Sequence, residues 1–242
     1  MRLTIANITK SISSSDFLAA IRAIRRQVND DFGPEWSVTA TLRATALNLT
    51  SKAPVDGSHD AILYVGDASQ DPTTGVEGAL GYHSENHRNI PYGFVYLDIC
   101  AEYGDTWTSC LSHEVLELLA DPTAALTVTG PGPKGHKGHV YYDLEVCDPT
   151  QGDSYKIDGV ELSNFVGRHY FGLSGGSGHT NFLQLPLHPF GVRPGGYFQY
   201  EAGGKVFQVK GDKVTDKQFA ARAKMKLARR NTRRARRLES DT

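Results

Sequence analysis

At 242 residues, with 39% hydrophobic and 22% charged residues, the chain is long enough for one large domain or two small subdomains with a substantial core. No apolar run approaches the roughly 18 residues that a membrane span needs. The opening stretch MRLTIANITKSISSSD lacks the apolar centre of a secretory signal, so the expectation is a cytoplasmic protein with no membrane partner.

The net charge of -1 hides a division. Lys217 to Leu238 carries ten Lys or Arg and no acid, leaving sixteen basic against twenty-seven acidic groups in the rest. Cys100, Cys110 and Cys147 are odd in number and form no Cys-x-x-Cys pair, so they read as reduced thiols, with Cys147 a small buried residue.

Taken in chain order, Ser15 or Asp16 can cap a helix through FLAAIRAIRRQVNDDF. Phe17, Ala20, Ile21, Ile24 and Val28 form its apolar face, and Gly33-Pro34 is expected to stop it. WSVTATLRATAL reads as a strand, AILYVGD as a buried strand, GALGYHS as a short strand and YGFVYLDICA as another buried strand. The next helix, TWTSCLSHEVLELLADP, opens at Asp105 or Thr106 and closes before Pro122. TGPGPKGHKGH is a glycine- and proline-rich loop, and VYYDLEVCD a strand. YKIDGVELSNF is a hairpin turning at Asp158-Gly159, GLSGGSGH a flexible loop, and GGYFQYEAGGKVFQV a second hairpin.

The second helix carries the chemistry. At about 100° per residue from His113, Glu117 falls near 40°, Asp121 near 80° and Glu114 near 100°, while Leu111, Val115, Leu116, Leu118 and Leu119 fill the remainder. His113-Glu114-x-x-Glu117 has the spacing of the His-Glu-x-x-His zinc motif with its second histidine replaced. Residues at i and i+4 point the same way from adjacent turns, so both reach one ion, and the residue between can act as a base. The bland alternative is a solvated acidic face with His113 at its rim. SGGSG lacks the lysine and following helix of a phosphate-binding loop, and no serine or cysteine triad follows from the spacing.

The succession of helix, strands, short GALGYHS strand, buried strand and motif-bearing helix resembles the N-terminal subdomain of zincin metallopeptidases. SHEVLELLADP followed by EVCDP also resembles a group of bacterial and phage-borne zincin-like proteins, and more loosely the plant Exordium-like proteins. The matching positions are His113, Glu114, Glu117, Asp121, Pro122, Glu145 and Asp148, and the likeness runs from about Phe17 to PGGYFQY. It implies an α+β fold: a zincin-like mixed sheet with the motif helix (1–122), a smaller hairpin-rich subdomain completing the metal site (123–212), and a basic arm (213–242).

It also implies a metal-dependent peptide hydrolase. The sequence departs from the pattern, because Glu117 stands where a zincin has histidine and neither methionine lies where a Met-turn would. A third ligand must come from YDLEVCDP. Alternation puts Asp143, Glu145 and Cys147 on one face and Asp148 on the other, although the Pro149 turn can swing Asp148 back. Glu145 is the first choice and Asp148 the second. Zn2+ is the expected ion, with Mn2+ or Ca2+ competitive because two carboxylates join one histidine.

Glu114 is the expected base. Asp121 is expected to orient His113 or to cap backbone donors, and Tyr197 to donate to the oxyanion, with His169, Tyr170 and His188 as alternatives. His83 and His87 could line a substrate cleft. The non-enzymatic alternative is a structural or adaptor protein, such as a phage virion component, keeping a structural metal. The arm, with Phe219, Ala220, Ala223 and Leu227 at helical spacing, is expected to dock on an acidic surface of its own chain, a second copy or virion proteins, with nucleic acid as the other partner.

Overall fold

The computed structural model describes residues 1–46, 60–71, 80–86, 88–133, 135–214 and 236–238. It is an α+β protein. A mixed five-stranded sheet is built from β1 (Arg2–Asn7), β2 (Thr41–Ala46), β3 (Ala61–Gly66), β4 (Gly81–Glu85) and β5 (Pro91–Tyr96), in the order β2-β1-β3-β5-β4. The first four strands of that order run parallel, and β4 closes the sheet antiparallel to β5. Strands covered on both faces read as nearly unbroken apolar runs, and β3 shows this, with Ala61, Ile62, Leu63 and Val65 all buried. β1, a strand that the sequence reading does not include, lies between β2 and β3.

Helix α1 (Ser14–Arg26) starts one residue earlier than the proposed caps. Ser13 caps it, its side-chain oxygen accepting from the backbone N–H of Asp16 at 3.1 Å. Gly33-Pro34 does not stop the helix. The chain widens through a π-helical turn, Gln27–Phe32, and continues as α2 (Gly33–Trp36) before Ser37 ends it in the left-handed region. Gly33 makes this passage possible, because a Cβ there would lie 2.7 Å from the carbonyl oxygen of Val28 and 2.8 Å from that of Val38.

YGFVYLDICA also divides. β5 ends at Tyr96 and the rest winds into α3 (Leu97–Tyr103), closed by Gly104 at φ +76°. Helix α4 (Trp107–Ala120) follows, with Thr106 at its N-cap accepting from the backbone N–H of Ser109 at 3.3 Å.

The second sheet is mainly antiparallel, from β6 (Leu126–Pro131) and β7 (His139–Asp143), with the hairpin β8 (Ser154–Ile157) and β9 (Val160–Ser163) standing apart. β10 (Tyr197–Ala202), β11 (Lys205–Lys210) and β12 (Arg236–Leu238) complete the order β11-β10-β7-β6-β12. β12 pairs in parallel with β6 and is the only described part of the arm beyond Val214; the helical spacing at Phe219 to Leu227 lies outside the described residues. The glycine loop is tied down by buried Glu35, which accepts from the backbone N–H of Arg168 at 2.8 Å and of Ser177 at 2.6 Å.

Apolar side chains from both sheets and α4 form one continuous core. Leu111, Val115, Leu116 and Leu118 of α4 are 0% exposed, and burying each contributes about 1.5–3 kcal/mol. That is enough to hold the helix inside against the cost of the polar groups it carries.

Candidate metal centre

The acidic face of α4 is buried rather than solvated. His113, Glu114 and Glu117 are 8%, 6% and 3% exposed, so the reading of a solvated rim is set aside. One helical turn brings His113 Nε2 to 3.2 Å from Glu117 Oε1. The strand carrying YDLEVCDP is shorter than expected. β7 stops at Asp143, and the chain turns into a 3-10 segment, Asp148–Thr150, with Pro149 at its start. This turn swings Asp148 inward, its Oδ1 lying 3.3 Å from His113 Nε2.

The same segment grips the helix through its backbone. The N–H groups of Cys147 and Asp148 both donate to Glu117 Oε1, at 3.2 and 3.3 Å. Glu117, Glu145 and Asp148 bring ligand oxygens within 4.8 Å of one another, and so do the ligand atoms of His113, Glu117 and Cys147. Asp148 thus reaches His113 directly, while Glu145 joins from the carboxylate side.

The buried groups of the cluster shift one another strongly. Burial, reinforced by the charges of Asp148 and Glu145, pushes the Glu117 carboxyl up to about 8. Burial alone would lower the His113 imidazole, but the Glu117 and Asp148 carboxylates outweigh it and hold its pKa well above the ordinary value. Burial, and then Glu117, raises the Cys147 thiol well above its usual range.

The donor set fits a divalent ion. Ligands bound tetrahedrally at about 2.0–2.1 Å lie roughly 3.3–3.4 Å apart, and the separations of 3.2 and 3.3 Å around His113 match this spacing. Charge-assisted N–H···O bonds are shorter, about 2.7–2.9 Å.

Glu114 turns toward β4 while keeping a carboxylate oxygen within 4.8 Å of Glu117. Its Oε2 lies 3.4 Å from Nδ1 of His83, and a Cβ added to Gly81 would sit 2.9 Å from its Cγ. His83 lies on β4, within the strand expected over GALGYHS, and is 0% exposed, with Nε2 3.1 Å from the carbonyl oxygen of Asp121. The signal for this was the period of two in GYHS, which puts Gly81 and His83 on one strand face. His87 lies outside the described residues.

Asp121 acts as a cap. Its Oδ2 accepts from the backbone N–H of Leu126 at 2.8 Å and its Oδ1 from that of Thr123 at 3.2 Å. Tyr197 is the buried first residue of β10, and its neighbour Gly196 packs against the Asp148 turn, where a Cβ would meet the carbonyl oxygens of Pro149 and Asp148. Tyr170 is buried and donates its hydroxyl to the carbonyl of Gly191 at 2.6 Å, which commits that hydrogen elsewhere. His136 of the loop packs edge-on against Phe207 and Tyr200.

Fold and side chains together define a class: an α+β protein whose buried histidine and glutamate groups could hold a metal ion. No family model matches the chain, and no curated protein or solved structure matches it either.

Proposed function

We propose that the protein is a metal-dependent peptide hydrolase of zincin type, with the cation held by His113, Glu117 and Asp148 and Glu145 completing the carboxylate side. The observation that carries this reading is that His113 and Glu117 of α4 meet Asp148 of the 3-10 turn, at 3.2 and 3.3 Å from His113 Nε2, while Glu114 on the same helix turns to β4. β4 is the edge of its sheet among the described residues, so its outer backbone groups can pair with an extended peptide.

A divalent cation, Zn2+ first and Mn2+ or Ca2+ next, supplies polarisation of the scissile carbonyl and a lowered pKa for attacking water. Glu114 accepts the proton of that water and returns it to the leaving amine. Tyr197, beside the Asp148 turn, donates a hydrogen bond to the developing oxyanion.

The burial of the ligands favours a second reading, a structural metal that pins the Asp148 turn to α4 in a virion or adaptor protein. Elemental analysis of the protein purified without added metal, combined with peptide hydrolysis by wild type and Glu114→Gln, separates the two. Stoichiometric metal with hydrolysis lost in Glu114→Gln supports the hydrolase. Metal with no hydrolysis by wild type leaves the structural role, and full metal content in both His113→Ala and Glu117→Ala overturns the site.

A further inference from the structure

We infer that the centre is built for two cations, with Glu117 bridging them and the second ion held by His83, Glu114 and the other oxygen of Glu117. This rests on the first site as proposed above and extends it to residues that lie on its far side.

The two oxygens of Glu117 face different histidines. Oε1 is 3.2 Å from Nε2 of His113, while Oε2 is 4.0 Å from Nδ1 of His83. His83, Glu114 and Glu117 bring their ligand atoms within 4.8 Å of one another, and all three residues are buried.

His83 supplies the second observation. The carbonyl oxygen of Asp121 can only accept, so Nε2 of His83 at 3.1 Å carries the hydrogen. Nδ1 of the same ring points at Glu114 Oε2, 3.4 Å away, and Glu117 Oε2, 4.0 Å away, and in the neutral ring it offers them a lone pair to share on one ion. The 3.4 Å separation matches the spacing of two ligands on one ion. A hydrogen-bonded second nitrogen is also the arrangement that fixes a metal-ligating imidazole in its tautomer and orientation.

A carboxylate bridging through its two oxygens gives the metal separation of about 3.5–4 Å found in two-metal hydrolytic sites. Glu114 commits only Oε2 in this arrangement, leaving Oε1, 3.0 Å from the Cβ position of Gly81, toward β4, so Glu114→Gln should keep the ion of the first site and lose the second.

The test is metal stoichiometry and coupling on the full chain. Protein freed of metal, reloaded with Mn2+ and dialysed should bind two equivalents by elemental analysis and give the electron paramagnetic resonance spectrum of an exchange-coupled pair. His83→Gln, with circular dichroism as the control for folding, should halve the stoichiometry and leave the hyperfine pattern of an isolated ion, and Glu117→Ala should lose both ions.

One equivalent in wild type with an isolated-ion spectrum overturns the bridged centre and leaves the first site standing. No bound metal in wild type overturns both. If His83→Gln fails to fold, the wild-type stoichiometry and coupling decide the question alone.

Discussion

Stripping the metal from the centre should make stability fall as pH rises, opposite to the trend that salt-bridged carboxylates impose. In the metal-free protein the Glu117 carboxyl is pushed from 4.5 up to about 8 by burial and by Asp148 and Glu145. Between those values the folded chain holds a proton that the unfolded chain has released, so the stabilisation is complete below the lower value and is lost as pH climbs through the upper. His113 has the same sign. Its pKa is also raised in the folded chain, so its contribution is present below 6.5 and fades as pH passes the folded value.

Each tenfold change in proton affinity is worth about 1.4 kcal/mol, which sets a ceiling of about 5 kcal/mol for Glu117. Its proton and that of His113 belong to one network, so their contributions overlap, and a loss of about 2–3 kcal/mol is expected. For a chain of this size that corresponds to about 4–12 °C in melting temperature. The assay is thermal unfolding from about pH 5 to about pH 8.5, with and without saturating Zn2+, on wild type and Glu117→Gln. The gap between loaded and metal-free wild type should widen with pH, and the metal-free slope should flatten in Glu117→Gln, which has no carboxylate to deprotonate. A metal-free melting temperature that is level or rising over this range in wild type, or a slope retained in Glu117→Gln, refutes the shared buried network.

Other substitutions probe the supports of the site. Gly81→Ala would place a methyl 2.9 Å from Glu114 Cγ and from the carbonyl oxygen of Phe94. It should cost about 1–3 kcal/mol in denaturant unfolding and lower any hydrolysis more than metal content. Asp121→Ala removes the acceptor for Leu126 and Thr123 behind the helix, and should destabilise by about 1–3 kcal/mol; an unchanged unfolding midpoint would contradict that role. Thr106→Ala, which uncaps α4, should cost about 1 kcal/mol while leaving bound metal unchanged by elemental analysis.

Deleting residues 217–242 should leave metal content intact and abolish any association that weakens with salt, read by sedimentation at low and high ionic strength. Loss of metal or unfolding on that deletion would show the arm, whose Arg236–Leu238 segment pairs with β6, to be part of the core.

What the sequence determined by itself was local. The i, i+4 spacing of His113 and Glu117 puts them on one helical face wherever the helix packs. Thr106 and Pro122 bound that helix, and Asp158-Gly159, with φ of +51° and +81°, turns its hairpin through the residues such a turn demands. The buried-strand character of AILYVGD and YGFVY was likewise legible, because pattern travels with the chain.

Three features were decided only by tertiary structure. Gly33-Pro34 ends most helices, yet here a π-helical turn carries the chain onward, because Gly33 leaves room between the carbonyls of Val28 and Val38. Alternation along YDLEVCDP favoured Glu145, but the strand pairing ended at Asp143 and the Pro149 turn delivered Asp148 to His113. The strand pattern of GALGYHS places His83 on a strand face without saying what that face meets. The strand order that makes β4 the neighbour of β5, beneath α4, buries it against Glu114 thirty-one residues away. Periodicity specifies which face a residue shares with its neighbours in sequence. What that face meets depends on sheet order and on where pairing stops, which are properties of the packed whole.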